Sequence, residues 1–102
     1  ITMIDKVFEL LGKNAFKNLK KESENFASKI NPAIFDAISV ATSYAIKTEY
    51  KFTEGNYLEK YKRLLKNEEF HRASSSRTTN IENIKTRIQI AAEFLYGVTY
   101  EW

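Results

Sequence analysis

The sequence contains no cysteine, one proline, three glycines and one histidine in 102 residues. Without cysteine, the chain can form neither disulfides nor thiolate zinc sites, which fits a reducing compartment, and it has no thiol nucleophile. The lone histidine, His71, cannot supply the histidine pair of a metal site. Scarce glycine and proline disfavour disordered and turn-rich β proteins. We therefore expect a cytoplasmic, non-enzymatic domain that is stabilised by packing and needs neither a metal ion nor any other cofactor.

Long apolar runs and strong net charge are also missing. The best candidate for a membrane span, residues 33–46, falls short of the roughly 18 residues that a span needs and contains Asp36. The net charge of +3 is mild and is spread along the chain, so no strong footprint of a polyanionic partner is visible. These features predict a soluble protein that does not interact with membranes.

The length of the chain fits a single helical domain, residues 1–102, with one hydrophobic core. Its first residues, Ile1, Thr2 and Met3, include no methionine at position 1 and show no targeting pattern. We therefore expect the chain to be a fragment of a longer protein.

The hydrophobic spacing predicts an all-α fold, a compact bundle of about four to five helices around a buried central helix, Pro32 to Lys47. Asn31 suits the N-cap, and Pro32 suits the first helical position because the helix does not use an N–H there. From residue 33 to 46 nearly every position is apolar or small. The polar positions form one narrow line, Asp36, Ser39, Ser43 and Lys47. A helix with so narrow a polar line belongs inside the fold.

Two segments before this helix give weaker patterns. A first helix is expected to end at Gly12 and to present these apolar side chains on one face: Met3, Ile4, Val7, Phe8 and Leu11. Residues 13–30 have apolar side chains at roughly helical intervals but include the polar run KKESEN. They predict a short helix followed by a loop.

Two segments after the central helix predict further helices. Thr53 is a candidate cap for the first of these helices, and Asn67 interrupts or restarts it. Its apolar face consists of Tyr57, Leu58, Tyr61, Leu64 and Leu65. Thr79 and Glu82 form a capping box that starts a last helix ending at Gly97. Its predicted core side is Ile81, Ile84, Ile88, Ala91, Ala92 and Leu95. The aromatic tail, residues 98–102, either docks on the helices or is the stub of a continuation.

The stretch most suggestive of binding is HRASSSRTTNIENIKTR, residues 71–87, because hydroxyl groups and arginines lie just before a helix N-terminus. Free amides and the helix dipole attract anions at such a place. The candidate contacts to a phosphate or a nucleic-acid backbone are Arg72, Ser75, Ser76, Arg77, Thr78, Lys85 and Arg87. The same hydroxyl residues also suit caps and turns, and Arg72 and Arg87 also suit pairing with nearby acids.

Two other groups of residues stand out by type. Four cations share one face of the helix predicted after Thr53: Lys60, Lys62, Arg63 and Lys66. Glu59 and other acids lie among them, which favours a solvated exterior. The chain also has six tyrosines and seven phenylalanines. Most are expected in the core or at its rim, and a minority are candidates for a face that docks on another domain.

Several segments together resemble a known family. Taken in order, three segments resemble the C-terminal helical region of the bacterial "domain of unknown function 262" family of ParB-like nuclease-related proteins. They are FELLGKNAFKN, INPAIFDAISVATSYAI and LLKNEEFHRASSSRTTNIENIKTRIQIAAEFL. The resemblance covers about residues 5–96. It rests on Asn14-Ala15-Phe16, on NPAIFDA at residues 31–37, on Glu69-Phe70 with the Ser/Thr turn that follows, and on Arg87.

The resemblance implies an accessory module and assigns no catalytic residue here. In that family, the chemistry is attributed to an N-terminal ParB/sulfiredoxin-like domain with an Asp-Gly-Gln-Gln-Arg type motif, and members are linked to modification-dependent restriction and phage defence. This chain contains no such motif. Its turn also has Ser-Arg-Thr where relatives often have glycine.

Three functional hypotheses follow. The leading one is a non-catalytic helical accessory or interaction domain that positions the N-terminal catalytic domain of the same parent chain or mediates self-association. The second is a module that binds the nucleic-acid backbone through the basic Ser/Thr-rich turn and the helix N-terminus. The third is a hydrolase that uses His71 as an acid or base.

Overall fold

The computed structural model describes residues 3–20, 25–52, 55–75 and 81–100 of the chain. In these residues five α-helices and one two-stranded sheet follow one another. Their bounds are α1 Met3–Leu11, β1 Lys17–Leu19, β2 Phe26–Ile30, α2 Pro32–Lys47, α3 Tyr57–Lys66, α4 Glu68–Ser75 and α5 Ile81–Tyr96. The fold is therefore mostly helical, which roughly agrees with the all-α prediction, and it adds a small two-stranded sheet that the prediction lacked.

The sheet is an antiparallel hairpin in the segment that was predicted as a short helix and a loop. Lys17 pairs with Ile30 and Leu19 with Phe26, with an irregularity between the two pairs. A short 3₁₀ turn at Gly12–Asn14 precedes the hairpin, and Phe16 has a left-handed backbone with φ of 69°. That conformation is costly for a bulky residue. It is held because the Phe16 ring is buried and its carbonyl accepts a hydrogen bond from the Asn31 N–H at 3.0 Å.

Several predicted helix ends agree with the structure. The Asn31 side chain accepts hydrogen bonds from the N–H groups of Ala33 and Ile34, at 2.9 and 3.1 Å, and so caps α2. Gly12 and Gly97, with φ of 76° and 63°, follow directly after α1 and α5. Asn67 separates α3 from α4, and its side chain accepts a hydrogen bond from the Phe70 N–H at 2.8 Å. The predicted caps Thr53 and Thr79 lie outside the described residues.

The core draws on every helix. Helix α2 packs most extensively against α5 and also against α1 and α4. The largest fully buried side chains are Tyr61, Phe16, Phe70, Ile34, Ile38, Leu64, Ile88, Leu95, Val7 and Thr42. Beyond α5, Val98 and Tyr100 pack on this core, and the Tyr100 ring meets the Tyr44 ring at 5.0 Å. The part of the tail that the structure describes is therefore docked.

Five side chains were placed on the wrong side of their helices by the spacing of the sequence. Ile4, Phe8, Leu58 and Ile81 were predicted in the core, yet each is more than two-fifths exposed. Ser39 was predicted on the polar line of α2, yet it is 8% exposed. Among the described residues, its hydroxyl oxygen has no hydrogen-bond partner. The helices thus face the core at slightly different angles than their apolar stripes suggest.

Candidate functional site

The basic turn predicted as an anion site is only partly in view. Ser76, Arg77 and Thr78 lie outside the described residues, and Ser75 is the last residue of α4. Arg72 is exposed on α4, and Lys85 is partly buried on α5. Apart from Arg87, they are the described cations among the predicted contacts.

Arg87 does not lie on the surface of this turn. Its side chain is 7% exposed, and its guanidinium donates to the Asp36 carboxylate at 3.1 Å and to the Ala73 carbonyl at 3.4 Å. The guanidinium therefore ties α5 to both α2 and α4. Of the two roles predicted for Arg87, pairing with an acid is the one that the structure shows.

The residues considered for catalysis lie along the outside of α4. His71 and its neighbours Glu68 and Glu69 are all exposed. Across the described ranges, no group of three or more histidine, aspartate or glutamate side chains converges as a metal site would require. Within the same ranges, no helix has the length and apolar character that crossing a bilayer demands.

An apolar surface that the sequence did not reveal surrounds the buried ring of Phe16. The Phe16 ring meets Phe8 edge-on, with centroids 5.6 Å apart, and lies 4.7 Å from the ring of Phe35. Ile4 lies one helical turn before Phe8, and Ile30 lies on the strand position paired with Lys17, next to Phe16. We call these four accessible side chains the Phe16 patch: Ile4, Phe8, Ile30 and Phe35. The first three are 41%, 42% and 50% exposed.

A second group of aromatic side chains packs around the ring of Tyr96. The rings of Tyr50, Phe52 and Tyr57 each pack on Tyr96 at centroid distances of 5.2 to 6.1 Å. The Lys6 ammonium lies 4.9 Å from the centroid of the Phe52 ring. Tyr57 and Tyr96 are buried, and Tyr50 and Phe52 pack against the core, so this group contributes to the stability of the fold.

The hydroxyl groups of Thr42 and Tyr96 share a buried hydrogen bond of 2.7 Å. From this bond we predict an effect on the free energy of unfolding. Thr42→Val should lower the free energy of unfolding by about 1–3 kcal/mol, because it leaves the buried phenol without its partner. The double variant with Tyr96→Phe should lose less than the sum of the two single variants. Urea unfolding of all four proteins measures this, and strict additivity would contradict a coupled pair.

The burial of the Tyr96 phenol also gives a dependence of stability on pH. Burial raises the pKa of Tyr96 to about 12, although the hydrogen bond from Thr42 lowers it somewhat. The unfolded phenol titrates near pH 10, so the folded state favours the neutral form. This contribution to stability is therefore complete below about pH 10 and is lost as the pH rises from 10 to 12. Tyr96→Phe should flatten that part of the stability profile relative to the unmodified chain.

Comparison of the chain with protein-family models, with curated proteins and with solved structures gives no match. The resemblance to the "domain of unknown function 262" family therefore rests on the sequence segments alone.

Proposed function

We propose that the chain is a non-catalytic helical accessory domain of a bacterial nuclease-related protein, of the restriction or phage-defence type. It is a bundle around α2 and positions the N-terminal catalytic domain of the same parent protein. The Phe16 patch carries this proposal, because exposed apolar side chains that lie near one another, such as Ile4 and Phe8 on α1, are typical of a docking surface. The sequence resemblance supplies the type of parent protein.

The size of the Phe16 patch favours a tethered neighbour over a free second copy. A stable complex between free partners buries about 800 Å² on each side. Four partly covered side chains offer on the order of 300 Å², given the 150–250 Å² that an aromatic side chain buries. A domain in the same chain is present at a millimolar effective concentration, so a contact of this size is enough to hold it.

The first test separates a tethered neighbour from self-association. At about 100 µM, where a dimer of micromolar affinity would be almost complete, the chain should sediment as a monomer. If the chain instead sediments as a dimer and Phe8→Glu dissociates that dimer, the positioning role is overturned. The Phe16 patch would then be the contact with a second copy. Hydrolysis of nucleic acid or nucleotides by the purified chain that disappears with His71→Ala would overturn the non-catalytic role.

Phe8→Glu should loosen the docking of the catalytic domain in the full-length protein, because the carboxylate cannot be buried without a partner. Limited proteolysis should then cut the full-length protein between its domains several times faster than normal. The matched control is Ile81→Glu, which places the same charge at an apolar residue that is 59% exposed on α5. Equal cleavage rates in the two variants would argue against the Phe16 patch.

A further inference from the structure

No further inference is drawn: the strongest candidate, the outer edge of strand β2 in the hairpin, combines an exposed lysine, Lys29, with an irregular pairing, two features that protect a strand edge from a partner, and nothing in the described residues shows what covers it.

Discussion

Ile38→Ala should lower the free energy of unfolding by about 2–5 kcal/mol, whereas Ile46→Ala on the same helix should lower it by less than about 1 kcal/mol. Ile38 is fully buried, and Ile46 is 40% exposed. The two substitutions delete the same atoms from the same helix, so helix propensity cancels in the comparison. The difference between them therefore measures burial and the cavity left behind.

Urea unfolding measures both variants, and the m-value should stay unchanged if the folded and unfolded states keep their compactness. Equal losses at Ile38 and Ile46 would show that α2 is not covered by its neighbours. The proposal of a bundle around α2 would then fail, together with the argument that its side chains serve the core.

The second large effect is expected at the ion pair between the buried Arg87 and the half-exposed Asp36, where the two partners should respond unequally. Asp36→Ala should cost about 1.5–3 kcal/mol, because it removes the carboxylate that accepts a hydrogen bond from a guanidinium that is 7% exposed. Arg87→Met should cost less, about 1 kcal/mol, because methionine fills the apolar space and the remaining Asp36 side chain is 47% exposed and can be hydrated.

The double variant Asp36→Ala/Arg87→Met decides between this account and a simple loss of contacts. It should be more stable than Asp36→Ala alone, because no buried guanidinium then remains to be desolvated. Glu93→Ala, at an exposed acid of α5, serves as the control and should change stability by less than about 0.5 kcal/mol. A double variant that is less stable than both single variants would contradict the role of desolvation.

Local chemistry explains which parts of the fold could be predicted. One end each of α2, α5 and α3 could be located from the sequence, because the residues at these ends act through their own backbone and nearest neighbours. These residues are Asn31 with Pro32 for α2, Gly97 for α5 and Asn67 for α3. The hairpin could not be, because Phe16, Leu19, Phe26 and Ile30 lie at spacings that a helix also allows. The strands are decided by tertiary contacts, chiefly the bond from Tyr61 to the Lys17 carbonyl.

The functional surfaces were harder to predict for the same reason. The sequence correctly listed pairing with an acid as one role of Arg87, but Asp36 is distant in the chain and only the fold identifies it. Ile4 and Phe8 have the spacing of core residues, yet α1 turns Val7 and Leu11 inward. The predicted hydroxyl contacts Ser76 and Thr78 lie outside the described residues and stay predictions.

The junction between Tyr61 and the hairpin has a consequence for any attempt to study α3 or the hairpin alone. A ten-residue helix is marginal in water, and a pair of short strands does not persist alone. A peptide copy of α3 would therefore carry the same charges without a fixed arrangement. The arrangement of α3 and the hairpin is a property of the cooperative folded unit, and loosening Tyr61 from Lys17 would release the two elements from each other.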